Sequence, residues 1–109
     1  MSHIKVFFIA KIKNLNDEYK QINKELYEIA STLPGFISLK SEEIDDIEIT
    51  ISSWKDQFSV DNWANNPIHI EAKKRATEWY HWVKGIHIEA EDEFTWSLKK
   101  EEKNELSKS

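Results

Sequence analysis

The sequence contains no cysteine, and this one absence removes disulfides, thiolate metal sites and a cysteine nucleophile together. Glycine and proline number two each, so the chain has few sharp breaks. No apolar run reaches the roughly 20 residues of a membrane-spanning helix. Positive charge is in the minority, with 15 Lys and Arg against 20 Asp and Glu and a net charge of −5. Nucleic acids and anionic membranes are usually bound through basic faces, so neither is an expected partner. Glycine-rich phosphate loops and serine nucleophile motifs are absent as well. No two histidines fall three or four residues apart within one element, so no metal site and no cofactor are expected. The opening Met1-Ser2-His3-Ile4-Lys5 lacks a signal-peptide layout, which makes a cytoplasmic location the expectation.

What is present fits one domain. The chain has 109 residues, 39% of them hydrophobic and 32% charged, an ordinary globular composition. A chain of this size buries only a modest share of its surface, so a partner subunit would help it. Tryptophan is abundant: five in all, four of them between Trp54 and Trp82.

Periodicity supplies the elements. Lys5 to Lys13 reads as a strand with Ile4, Val6, Phe8, Ala10 and Ile12 on one face. Phe7 and Ile9 make the middle of its other face apolar too, the mark of a strand covered on both sides. Asn16 reads as the N-cap of a helix whose stripe is Tyr19, Ile22, Leu26, Ile29 and Leu33. Pro34-Gly35 stops it. Phe36 to Ile44 reads as a second strand, and Asp45-Asp46 as a tight solvated turn. In the third strand Ile47, Ile49 and Ile51 alternate with Glu48, Thr50 and Ser52, and Trp54 closes it. Lys55 to Ala64 reads as a short helix holding Phe58 and Trp63. Asn66 caps a longer one with Pro67 at its first position. The spacing Ile68, Ala72, Ala76, Trp79, Val83 predicts that this helix runs to Val83, with Gly85 leading into a fourth strand. There Ile86, Ile88 and Ala90 alternate with His87, Glu89 and Glu91, and Phe94 and Trp96 extend the strand or pack on a partner. From Leu98 the chain is almost entirely polar, so residues 98–109 are expected to stay unordered and 1–97 to form the domain.

The order β-α-β-β-α-β is the ferredoxin-like arrangement, an α+β fold with both helices on one face of a four-stranded antiparallel sheet. The other face is then bare and apolar, with Phe7 and Ile9 on it. A second copy of the chain, packed sheet face to sheet face, is the simplest cover.

Four segments carry a family resemblance. Leu33-Pro34-Gly35-Phe36, Ile49-Thr50-Ile51-Ser52-Ser53-Trp54, Trp63-Ala64-Asn65-Asn66-Pro67-Ile68-His69-Ile70-Glu71-Ala72 and Trp79-Tyr80 together resemble the antibiotic biosynthesis monooxygenase (ABM) domain family over nearly the whole chain to about Glu93. That resemblance implies a dimeric α/β barrel and places a pocket between each subunit's own sheet and helices. It implies either a cofactor-independent monooxygenase acting on a small aromatic or quinol-like substrate, or a small-molecule-binding dimer without turnover.

Phe8, Trp54, Trp63, Trp79 and Tyr80 are the candidate walls for a flat aromatic ligand. Each also reads as a ring filling the gap between helices and sheet. His69 is the candidate acid or base, with a second reading as a surface histidine pairing with Glu71 or Lys73. His81 and His87 read as exposed. A third branch, haem binding or haem degradation, fits poorly. Its members use an asparagine in strand one, a tryptophan after the short helix and a histidine in the second helix. Trp63 matches the tryptophan, but the ligand position falls near Lys73 and Val6 to Lys13 contains no asparagine.

Overall fold

The computed structural model describes residues 2–91 and the main chain of residues 96–105. Strand β1 (His3–Ile12) leads through Asn16 into α1 (Asp17–Thr32), followed by β2 (Phe36–Ile44) and β3 (Ile47–Trp54). Two short helices, α2 (Gln57–Ala64) and α3 (Pro67–Lys74), precede the single turn α4 (Ala76–Trp79). Strands β4 (Tyr80–Ala90) and β5 (Trp96–Glu105) complete the chain. The sheet is antiparallel throughout, in the order β2-β3-β1-β4-β5.

Local chemistry fixes the element starts. Asn16 Oδ1 accepts from Tyr19 N at 2.9 Å, Asp56 Oδ1 from Ser59 N at 2.9 Å, and Asn66 Oδ1 from Ile68 N at 2.9 Å. Each cap satisfies one of the orphan donors of a helix's first turn. Gly35 ends the turn after α1 at φ +84, and a Cβ there would fall 1.9 Å from Ser59 Oγ. Conformation and space both demand glycine at this point. Asp45 adopts φ 56 in the hairpin between β2 and β3, which aspartate tolerates better than most residues.

Two expectations about the limits of the elements need correction. The longer helix does not reach Val83. It stops at Lys74, resumes for one turn, and gives way to β4 at Tyr80, five residues before Gly85. The carbonyl of Trp79 accepts from Lys13 N at 2.7 Å and Asn14 N at 3.1 Å instead of serving a longer helix. Tyr80, Trp82 and Val83 are strand-favouring residues, and Tyr80 to Val83 complete the ladder with Ile12 to Ala10. The tail expected to be unordered holds most of β5, so the 97/98 boundary falls inside a strand. A strand needs no apolar burial of its own when a neighbouring edge offers a full row of backbone partners. Here β4 does so from Trp82↔Glu105 to Ala90↔Trp96. Trp96 therefore opens β5, and Phe94 lies outside the described residues.

Opposed residues of an antiparallel pair share a face, so the register assigns every side chain. Ile4, Val6, Phe8, Ala10 and Ile12 face the helices, as the sequence suggests. The bare face carries Phe7 and Ile9 from β1, Ile47, Ile49 and Ile51 from β3, and Trp82, Ile86 and Ile88 from β4. All eight are half-buried. The isoleucines of β3 thus point away from the helices, while Glu48, Thr50 and Ser52 of β3 and His87 and Glu89 of β4 point towards them. His87, expected on an exposed face, is half-buried opposite Val6 on the helix side. His81 is exposed as expected. Among the described residues no helix is long and apolar enough to cross a membrane.

Candidate functional site

The space between sheet and helices holds two core clusters. One gathers Ile4, Ala30, Trp54, Val60 and Trp63, with Val6, Leu26 and Phe36 packed against it. The other gathers Ala10, Tyr19, Ala76, Trp79 and Tyr80, with Phe8, Ile22, Ala72 and Val83. The division runs between Val6 and Phe8 on β1 and between Leu26 and Ile22 on α1. Along it the sheet presents Ser52 and His87 beside Val6, and Thr50 and Gly85 beside Phe8. These are small or polar residues where a continuous core would carry large apolar ones.

His69 lies on α3, the helix that joins the two clusters' helices in sequence. Its ring meets Trp63 edge-on, with centroids 4.9 Å apart at 71°. Ala72, one turn further along α3, packs into the second cluster. The histidine is not the surface residue that pairs with Glu71 or Lys73. Its Nδ1 is shut away from solvent and has no hydrogen-bond partner among the described residues. Burial, and then the positive charge of Lys73, hold its pKa down at about 4. The imidazole is therefore neutral near pH 7.

The aromatic candidates separate. Trp54 is fully buried, stacked on Trp63 at 5.8 Å and met edge-on by Phe36. Trp79 lies in the second cluster against Tyr19, with the Arg75 guanidinium over its ring at 5.3 Å. Both rings are core. Tyr80 is core in its ring and committed in its hydroxyl. Of the five wall candidates, Phe8 lies half-buried beside the seam between the two clusters and Trp63 meets the His69 ring.

Sequence reasoning missed the strongest polar feature. Glu48 is only 3% exposed. Tyr80 Oη donates to both its carboxyl oxygens at 3.0 Å, Tyr19 Oη donates to Oε1, and Thr50 Oγ1 lies 3.5 Å from Oε2. Burial raises the Glu48 pKa, and the two phenols oppose that rise. Burial likewise raises both tyrosines, with the carboxyl adding to it. In β3 alone, Glu48 looks like the wet side of a half-buried strand. The warning lay in β1: a strand apolar on both faces belongs to a sheet covered on both sides, where no central polar residue is free of burial.

An open groove lined by His3, Gly35, Phe36, Ile37 and Lys55 lies at the far end of β1 and contains none of these groups.

No protein-family model matches the sequence, and no curated protein does. Solved structures do match in fold. A conserved protein from Methanosarcina mazei Go1 superposes with a TM-score of 0.67 at 19% identity, covering 95% of this chain and 90% of that one. A Nitrosomonas europaea protein provisionally described as an antibiotic biosynthesis monooxygenase gives 0.70 at 8% identity, covering 86% and 94%. SnoaB, a cofactor-independent oxygenase from Streptomyces nogalater, gives 0.66 at 11% identity, covering 87% and 97%. The chain thus has the α+β ferredoxin-like fold of ABM-type structures, with four strands in the expected order and a fifth added at the edge.

Proposed function

We propose that the seam is a binding site for a small flat phenol or quinol, and that the chain acts on it as a cofactor-independent monooxygenase. The observation that carries this reading is the buried, unpartnered Nδ1 of His69 beside the Trp63 ring. Trp63 and Phe8 would hold the aromatic plane from either side. His69 would accept a hydrogen bond from the substrate hydroxyl and take its proton as the electron-rich anion forms. The imidazolium so made sits against that anion, which offsets the burial and the Lys73 charge that keep it neutral beforehand. For an anthrone-like substrate the methylene carbon supplies all four electrons to dioxygen. One oxygen atom becomes the new carbonyl and the other leaves in water. The shared fold with SnoaB supports this class of chemistry.

A second reading is binding without turnover. The low His69 pKa favours it, because a base held near 4 removes a phenol proton reluctantly. Oxygen uptake over a panel of anthrones and quinols separates the two. Uptake lost in both Trp63→Ala and His69→Ala supports the oxygenase; saturable binding with no uptake supports the binder.

The same proposal includes a homodimer. Eight half-buried apolar side chains on one sheet face exceed what a soluble surface leaves open, and a second copy of that face is self-complementary. Size-exclusion chromatography with light scattering tests it, and a stable monomer at micromolar concentration would contradict it.

A further inference from the structure

Gly85 has no local reason to be glycine. It sits in the interior of β4, where glycine weakens a strand. Its backbone is not in the left-handed region, since Gly35 is the glycine with positive φ. It is not at a bulge: Phe8↔Gly85 and Gly85↔Glu102 are in regular register, and the shifts fall at Lys11/Ile12 and His87/Ile88. It is not squeezed either. A Cβ built there meets no atom within 4 Å among the described residues. Gly35 shows the contrast, with both a positive φ and a blocked Cβ.

The vacant space lies on the helix side. Gly85 stands opposite Phe8, whose ring leans towards Tyr80 with centroids 5.6 Å apart. That leaves the sheet floor beside Phe8 uncovered at the division between the two clusters. A glycine inside a strand with open room above it commonly marks the close approach of another molecule.

We infer that Gly85 is a specificity-determining residue, its missing side chain being the notch into which the edge of a flat aromatic ligand slides beside Phe8. This rests on the seam site proposed above and adds what that reading does not contain: the residue that sets the width admitted. A one-carbon addition should narrow the notch, and a branched one should close it.

The experiment measures quenching of tryptophan fluorescence by 1-naphthol in the wild type, Gly85→Ala and Gly85→Val, with thermal unfolding of all three. The expected result is saturable binding by the wild type, binding several-fold weaker in Gly85→Ala and at least tenfold weaker in Gly85→Val. Thermal stability should stay unchanged or rise in both, because alanine and valine suit a strand better. Equal 1-naphthol binding by the wild type and Gly85→Val overturns the notch and leaves the seam site standing. A fall in thermal stability in Gly85→Ala also overturns it, since glycine would then serve the backbone. No binding by the wild type removes the seam site and the notch together.

Discussion

The two clusters between helices and sheet share β1 and α1 and differ in chemistry. Around Trp54 the packing is almost wholly apolar, with rings stacked and edge-on. Around Tyr80 it encloses a carboxyl group tied to two phenols from α1 and β4. The first is stabilised by area and shape, the second by a network that must remain complete. Between them the sheet presents Ser52, Thr50, Gly85 and His87, and the proposed site is placed there. The residues that make a site visible in this fold are the ones that interrupt the packing.

The comparison is tested first where packing alone acts. Trp54→Ala should cost about 3–5 kcal/mol, the range for a deleted core aromatic, read as a lower denaturation midpoint at unchanged slope. In the polar cluster Glu48→Leu strands two buried hydroxyls and should cost about 2–4 kcal/mol. Glu48→Gln keeps an acceptor and should cost less than half of that. A Glu48→Leu protein as stable as the wild type would mean that the network adds nothing.

The two titratable groups should give stability opposite dependences on pH. His69 is held at about 4 against an ordinary 6.5, so over that window the unfolded chain binds more protons and stability rises with pH. The rise is at most about 3 kcal/mol. Glu48 has its pKa raised from 4.5, so the folded state holds the proton longer. Its contribution falls as pH climbs above 4.5 and levels off beyond the raised value. Unfolding of His69→Gln and Glu48→Gln from pH 4 to 8 separates them: the first should lose the rise, the second the fall. The smallest effect is local to α1. Asn16→Ala removes the cap on Tyr19 N and should cost about 1 kcal/mol, with the Glu48 hydrogen bonds to the α1 tyrosine weakened in step.

Much of the fold was legible. The β2 limits, the Asn16 and Asn66 caps, the α1 stripe and the bare face with Phe7 and Ile9 all follow from short-range pattern. The end of the second helix was not legible, because its stripe continues in register to Val83 while the competing hydrogen bonds come from Lys13 and Asn14, over 60 residues away. Nor was β5, whose order comes from the free edge of β4. Of the site, His69, Trp63 and Phe8 were legible as candidates from their residue types. Glu48 and Gly85 were not: the first read as solvent-facing, the second as a strand's entrance.

The sequence by itself determined the strands and helices from β1 to the start of α3 and that the first strand is apolar on both faces, because periodicity and capping act over a few residues. Only the tertiary structure decided which face of β3 and β4 turns inward. Alternation assigns residues to two sides without saying which side is core. That choice placed the isoleucines outside and Glu48, Thr50, Gly85 and His87 beneath the helices. His69 likewise meets the Trp63 ring of the preceding helix, a contact that the spacing within its own helix does not show.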